Sequence, residues 1–259
     1  MREPLSILSL QLDLVWEDIP ANLKKVQDEL DKSSKDVDLI VLPEMFSTGF
    51  TMNAEGMAES MDGQAVQAML KWSSQTGAAV TGSLIIEEEG RYYNRLIWAE
   101  PDGSLKSYDK RHLFTLAEEQ KYFTPGSERL FVEWKGWRIL PLICYDLRFP
   151  VWSRNADMYD LVLFVANWPE RRSFAWNQLL IARAIENQSY VVGVNRVGHD
   201  GNKVNFKGNS VVIDPMGETV ASMPEDKEGA FKAEISGKYL KEIRQKLAFL
   251  NDRDEFMII

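Results

Sequence analysis

Four short and almost wholly apolar runs constrain the fold of this chain more than any other feature. They are VDLIVLPE, WRILPLICYD, DLVLFVANW and YVVGVNRVG. Runs of this length and composition are typical of strands that are covered on both faces of a sheet. Segments with helical spacing alternate with them, such as Pro20–Ser34 with Leu23, Val26 and Leu30, and the later SFAWNQLLIARAIENQ. The alternation predicts an α/β fold with helices on the outer faces.

The remaining segments fit one domain that spans residues 1–259. LSILSLQL and AAVTGSLIIEE are predicted strands, Ala65 to Ser74 is a predicted helix, and FPVWSRNADM a short one. Two hairpins are predicted, one turning at Pro101-Asp102-Gly103 and one within GNSVVIDPMGETVAS. The C-terminal segment, about 238–259, ends in the apolar residues FMII. We expect that tail to pack on its own domain or on a second copy of the chain.

Composition excludes several classes of function. The formal charge of -9, from 30 basic and 39 acidic residues, argues against a nucleic acid or an anionic membrane as partner. The N-terminal apolar stretch is too short and interrupted for a signal peptide or membrane span, so we expect a cytoplasmic protein. One cysteine and two distant histidines, His112 and His199, do not provide a zinc site. Phosphate-loop and dinucleotide motifs are also absent, so no metal and no cofactor are expected.

Three predicted strands end at, or are followed by, a residue whose side chain can take part in catalysis. LIVLPE ends in Glu44, Lys110 follows the strand SLKSYD, and LPLIC ends in Cys144, the single cysteine. Strand ends in α/β proteins open into crevices where ligands bind. Taken singly, each residue also has an ordinary interpretation, as a solvated carboxylate, a charged surface residue or a small buried thiol.

Taken together, the three side chains have complementary chemistry. A thiol has an unperturbed pKa of about 8.5 and attacks as a thiolate. A nearby ammonium favours the thiolate and stabilises an oxyanion, and a carboxylate accepts the proton and delivers it to a leaving amine. Glu44, Lys110 and Cys144 therefore suffice for acyl transfer from an amide.

LPEMFSTGF, YDKRHLF and LPLICYDLRFP resemble the three signature blocks of the nitrilase superfamily of carbon–nitrogen hydrolases, in the expected order. The likeness extends over essentially the whole chain. It implies a four-layer αββα sandwich with internal pseudo-symmetry. It also implies that Glu44 is the general base, Lys110 the electrostatic stabiliser and Cys144 the nucleophile. The chain is then expected to form a homodimer with exchanged C-terminal tails.

The resemblance implies two further groups at the site. In LAEEQKYFTPG it places a second glutamate near the lysine, at Glu119, with Glu118 as the alternative. It also gives the backbone N–H of Tyr145 to an oxyanion hole.

Within the superfamily, EMFSTGFTMN and NWPERRSFAWNQLLIARAIENQ are most similar to the bacterial ω-amidase branch. Those enzymes hydrolyse the terminal amide of 2-oxoglutaramate and 2-oxosuccinamate. Arg148, Arg171 and Arg172 are candidates for binding the substrate carboxylate, although the last two also fit a solvated helix start. The aromatic residues predicted to wall the pocket, with core packing as the alternative for each, are Phe46, Phe50, Phe114 and Trp168.

Three alternatives remain open at this point. The substrate of the same chemistry could be an N-carbamoyl amino acid or a nitrile. A Cys–His hydrolase would use His112 or His199, of which only His112 lies near the lysine block. A protein with the same scaffold could also bind a small molecule without catalysis.

Overall fold

Two six-stranded mixed sheets form the centre of the computed structural model, which describes residues 2–257. The strands of the first sheet are β1 (Leu5–Gln11), β2 (Leu39–Val41), β3 (Ala79–Glu88), β4 (Arg91–Ala99), β5 (Leu105–Asp109) and β14 (Gly229–Ile235). Those of the second are β6 (Val132–Trp134), β7 (Trp137–Ile143), β8 (Leu161–Ala166), β9 (Tyr190–Asn195), β12 (Val211–Ile213) and β13 (Thr219–Ser222). A separate pair consists of β10 (Val197–His199) and β11 (Asn205–Lys207).

Six α-helices and five short 3-10 helices connect the strands within the described residues. The α-helices are α1 (Ile19–Ser33), α2 (Ala54–Met57), α3 (Gln64–Thr76), α4 (Pro150–Ser153), α5 (Ser173–Asn187) and α6 (Gly237–Lys246). The 3-10 helices are Thr115–Ala117, Glu119–Lys121, Cys144–Arg148, Glu170–Arg172 and Phe249–Asp252. No helix between residues 2 and 257 combines the length and the apolar character that crossing a bilayer requires.

The two sheets repeat one topology. The first has the order β14-β1-β2-β3-β4-β5 and the second, in the same sense, β6-β7-β8-β9-β12-β13. In each, three successive parallel strands are flanked by antiparallel ones. The predicted internal pseudo-symmetry is therefore confirmed.

Successive side chains on the strands of the first sheet pack alternately against the second sheet and against the outer helices. Ile7 and Leu39 pack between the sheets, whereas their neighbours Leu8 and Ile40 pack in the cluster that contains the buried faces of α1 and α3. Because successive side chains on a strand point to opposite faces, both faces must be apolar. This explains the continuous apolar runs and confirms the four-layer αββα sandwich.

The β2 strand is shorter than the predicted run Val37 to Glu44. It ends at Val41, and Pro43, which has no N–H to donate, follows before Glu44. Met45 then adopts a left-handed backbone with φ of 42°. The chain thus leaves the sheet just where Glu44 begins a connecting segment.

The C-terminal segment packs on its own chain as far as the last 3-10 helix. Leu240 and Leu250 are buried, whereas Phe256 is 45% exposed and Met257 is 85% exposed. The last two residues of FMII, at positions 258 and 259, lie outside the described residues. A role of this tail at a subunit interface stays a prediction.

Candidate active site

Glu44, Lys110 and Glu119 meet in one buried cluster. Lys110 Nζ donates a hydrogen bond to Glu44 Oε1 at 2.8 Å and another to Glu119 Oε2 at 2.9 Å. All three side chains have no exposed surface. Glu44 follows the carboxyl end of β2 in the first sheet, and Cys144 follows the carboxyl end of β7 in the second, so each sheet contributes a strand end to the site. Glu118, the alternative to Glu119, instead forms an exposed ion pair with Lys121 at 2.6 Å.

Asn94, on β4, holds the two glutamates. Its Nδ2 donates to Glu44 Oε1 at 2.8 Å and to Glu119 Oε1 at 3.2 Å. Its backbone carbonyl oxygen accepts a hydrogen bond from the backbone N–H of Lys110 at 3.0 Å. This bond fixes the start of the segment that follows β5, which we call the lysine loop. The sequence offers no signal for this role, because an asparagine inside a strand is not distinctive.

Asn167 follows β8 and fixes Glu44 from the other side. Its backbone N–H donates to Glu44 Oε2 at 2.8 Å, and its Nδ2 donates to the Glu44 carbonyl oxygen at 2.6 Å. Asn167 is not among the residues predicted from the sequence, although it ends an apolar run just as Cys144 does. The strand-end rule that selected the other three groups also points to Asn167.

Burial and mutual charge determine the ionisation of the cluster. Burial raises the pKa of Glu119; the positive charge of Lys110 opposes this and the negative charge of Glu44 adds to it. For Lys110, burial alone lowers the pKa, but Glu119 and Glu44 reverse the effect and hold the pKa above its ordinary value. Lys110 therefore remains a cation at any physiological pH.

Cys144 lies at a sharp turn after β7. Its backbone φ is 41°, in the left-handed region, and its side chain is enclosed, with the residue only 9% exposed. Burial raises the pKa of the thiol, the charge of Glu44 raises it further, and Lys110 lowers it, with a net value well above the ordinary one. Tyr145 is the second residue of the 3-10 helix that starts here, so its N–H has no acceptor within that helix.

Asp146 anchors this turn to the lysine loop. The buried carboxylate accepts hydrogen bonds from the Ile143 N–H at 3.1 Å and the Tyr108 hydroxyl at 2.7 Å. It also pairs with His112 Nδ1 at 2.8 Å. The imidazole stacks on the Phe149 ring, with centroids 3.7 Å apart. His112 is thus a structural partner of Asp146.

A cavity of about 460 Å³ opens above Lys110 and Cys144. Its other walls comprise Trp16, Phe50, Thr51, Met52, Asn53, Phe114, Ala117, Tyr145, Arg148, Asn167, Trp168, Pro169, Arg171, Arg172, Asp200, Asn202, Val204 and Phe206. The structure therefore brings the candidate nucleophile together with all three candidate arginines and with Phe114 and Trp168. His112 and His199 are not among the wall residues.

The three arginines form a positively charged rim, which consists of Arg148, Arg171 and Arg172. The Arg148 guanidinium lies 4.7 Å from the Trp168 ring centroid, and that of Arg172 lies 4.9 Å from the Phe114 centroid. Within residues 2–257, none of the three guanidinium groups has an ion-pair or hydrogen-bond partner. An unpaired set of cations beside a cavity favours an anionic ligand.

Phe46, predicted as a pocket wall, lies elsewhere. It is fully buried in the cluster with α3, where its ring centroid is 6.2 Å from that of Trp72. The left-handed Met45 between Glu44 and Phe46 redirects the chain, so that neighbouring residues serve the site and the core. The prediction for Phe46 is wrong, and Phe50 lines the cavity instead.

Comparisons with known proteins identify the family of the chain. The carbon–nitrogen hydrolase family model matches residues 7–245. The chain is 48% identical over 254 residues to omega-amidase YafV of Escherichia coli (strain K12), which covers 98% of each chain. It is 36% identical to the 2-oxoglutaramate amidase of Bacillus subtilis (strain 168), over 95% of this chain and 96% of that protein.

A solved structure points to the same family. XC1258 from Xanthomonas campestris is a CN-hydrolase superfamily protein with an arsenic adduct in its active site. It superposes with a TM-score of 0.97 at 43% sequence identity, over 99% of this chain and 100% of that one. The chain therefore belongs to the carbon–nitrogen hydrolase family of the nitrilase superfamily, and it is an amidase.

Proposed function

We propose that this amidase hydrolyses the terminal amide of small 2-oxo-dicarboxylic acid monoamides, such as 2-oxoglutaramate and 2-oxosuccinamate. The observation that carries the proposal is the unpaired arginine rim above Cys144 and the Glu44–Lys110–Glu119 cluster. Such substrates carry a carboxylate at one end and a primary amide at the other. The omega-amidase and 2-oxoglutaramate amidase names of the relatives support the same assignment.

Acylation begins with the thiol, because the pKa of Cys144 is raised. Glu44 accepts the thiol proton as sulfur bonds to the amide carbon. The developing oxyanion is stabilised by the Lys110 ammonium and the Tyr145 N–H. Glu44 then gives its proton to the amide nitrogen, the carbon–nitrogen bond breaks, ammonia leaves and a thioester remains on Cys144.

Glu44 Oε2 is the atom that we assign to these transfers. Among residues 2–257, Glu44 Oε1 accepts hydrogen bonds from Lys110 and Asn94, whereas Oε2 accepts one only from the Asn167 N–H. A carboxylate oxygen has two acceptor directions, so Oε2 retains one for a proton.

Deacylation repeats the sequence with water. Glu44 removes a proton from the water as its oxygen attacks the thioester carbon, and Lys110 and Tyr145 again stabilise the oxyanion. The carbon–sulfur bond breaks, and the proton on Glu44 returns to the sulfur of Cys144. The products are the 2-oxo acid and ammonia, and the enzyme is restored.

A substrate panel tests the proposal. We expect ammonia release from 2-oxoglutaramate with a kcat/KM well above that for glutamine, an N-carbamoyl amino acid or a simple nitrile. Glutamine presents an ammonium to the positively charged rim, which disfavours its binding. A higher kcat/KM for the carbamoyl compound or the nitrile would replace the substrate assignment and leave the catalytic assignment intact.

We also propose that the chain forms a homodimer in which the C-terminal tail contributes to the interface. Three large apolar side chains of this one segment are exposed, Phe249 at 61%, Phe256 at 45% and Met257 at 85%, which supports the proposal because grouped exposed apolar side chains mark interaction sites. Sedimentation equilibrium of the intact chain and of a chain truncated before Phe256 measures it. A monomer for the intact chain would contradict the proposal.

A further inference from the structure

Asn167 carries an unused acceptor beside the candidate catalytic carboxylate. The residue is 5% exposed and lines the cavity above Cys144. Its side-chain oxygen Oδ1 is buried and has no hydrogen-bond partner among residues 2–257. A buried polar atom without a partner costs about 1–3 kcal/mol, so such an atom at a ligand site points to a partner on the ligand.

The orientation of this side chain is fixed. Its Nδ2 donates to the Glu44 carbonyl oxygen at 2.6 Å. Exchanging the amide nitrogen and oxygen would oppose two oxygens and lose that bond, which excludes the flipped assignment. The backbone N–H of Asn167, at 2.8 Å from Glu44 Oε2, keeps the residue against the same carboxylate.

A primary amide needs both donors and acceptors from its site. The Lys110 ammonium and the Tyr145 N–H are donors and suit the carbonyl oxygen. The two N–H groups of the scissile amide need acceptors, yet Glu44 Oε1 is already used by Lys110 and Asn94. Glu44 Oε2 is assigned to proton transfer, and Asn167 Oδ1 is an unpartnered acceptor on the residue that bonds this carboxylate and lines the cavity.

We propose that Asn167 Oδ1 accepts a hydrogen bond from the scissile amide N–H and keeps it while the nitrogen leaves as ammonia. Asn167 thereby selects primary amides over esters, which have no N–H to donate. This inference rests on the proposed function, since it requires that the amide binds above Cys144.

The test compares an amide with an ester in matched variants. The substrates are 2-oxoglutaramate and the methyl ester of 2-oxoglutarate at the same carboxyl group. For Asn167→Leu, we expect the ratio of kcat/KM for amide to that for ester to fall about 10- to 100-fold, the equivalent of one buried hydrogen bond. Asn167→Ser, which is smaller and polar, should shift the ratio in the same direction and serves if leucine prevents folding.

Asn94→Leu is the matched control. Asn94 also bonds Glu44 and has an unpartnered Oδ1, but it does not line the cavity. Its substitution should lower turnover of amide and ester together and leave their ratio within about threefold of wild type.

Failure of the Asn167 role and failure of the proposed function give different results. An unchanged amide-to-ester ratio in the folded Asn167 variants, with melting temperatures near that of wild type, overturns the role of Asn167 alone. Absence of amide turnover by the wild-type enzyme overturns the proposed function instead.

Discussion

The floor and the rim of the cavity are built in opposite ways. On the floor, Lys110 is paired with two carboxylates, and none of these side chains is exposed. At the rim, the guanidinium groups of Arg148 and Arg172 stack on aromatic rings and have no anionic partner between residues 2 and 257. The charged groups of the floor are already positioned to stabilise the charge that develops during the reaction. The guanidinium groups of the rim lack an anionic partner, and the carboxylate of the substrate supplies one. Changes on the floor should therefore lower kcat, and changes at the rim should raise KM.

Removing the nucleophile should give the largest effect. For Cys144→Ala, we expect kcat for 2-oxoglutaramate to fall by a factor on the order of 10⁴ or more, because no thioester can form. The rim is unchanged, so calorimetry should still detect binding of the substrate. Loss of binding together with turnover would contradict the separation of floor and rim.

Neutralising the general base should lower kcat by about 10²- to 10⁴-fold, since proton transfer is lost. The variant is Glu44→Gln, which keeps the size of the side chain. Steady-state ammonia release measures the change, and a KM within about threefold of wild type is expected because Glu44 lies below the rim. A rise in KM without a change in kcat would move Glu44 out of the base role.

The same variant should shift the titration of the thiol. Burial raises the pKa of Cys144 and the charge of Glu44 raises it further, while Lys110 lowers it. Removing the Glu44 charge leaves Lys110 less opposed, so the pKa falls and thiolate forms at lower pH than in wild type. Ultraviolet thiolate absorbance against pH measures this, and identical curves for the two proteins would show that Glu44 does not act on the thiol.

A substitution at the rim should act on binding. For Arg172→Leu, we expect KM for 2-oxoglutaramate to rise about 10- to 100-fold and kcat to change little, because a charge-assisted hydrogen bond contributes about 1.5–3 kcal/mol. Arg138→Leu is the control, since Arg138 also stacks on an aromatic ring, 5.0 Å from the Phe131 centroid, but does not line the cavity. Equal effects of both substitutions would contradict a binding role for the rim.

The smallest effect on activity is expected from Phe46→Ala. Its side chain packs against Trp72 in the core, so the free energy of unfolding should fall by about 3–5 kcal/mol. Below the midpoint of unfolding, KM should match that of wild type. Phe114→Ala, which changes a cavity wall that carries Arg172, should instead raise KM. Denaturant titrations and steady-state kinetics distinguish the two residues.

The sequence predicts the groups that end strands. Glu44 and Cys144 each follow an apolar run and Lys110 follows the strand SLKSYD, and the packing of the two sheets then brings these three strand ends together. The coverage of these strands on both faces also follows directly from their composition. These features depend on local pattern, which a single sequence displays.

The contacts of the supporting amides could not be predicted in the same way, although Asn167 itself ends an apolar run. Asn167 lies 123 positions from Glu44, and Asn94 lies 50 positions from it, so their contacts arise only in the folded chain. The position of Phe46 depends on the left-handed backbone of Met45. A left-handed conformation is usually indicated by glycine, and position 45 is a methionine. Long-range contacts and single backbone angles therefore set the limit of the sequence analysis.

Rapid-quench mass spectrometry of the enzyme with 2-oxoglutaramate shows whether Cys144 carries the acyl group during hydrolysis. We predict that the quenched wild-type protein gains the mass of one 2-oxoglutaryl group, and that peptide mapping places it on Cys144. Turnover at the wild-type rate by Cys144→Ala, or an acyl group mapped to another residue, would contradict the account.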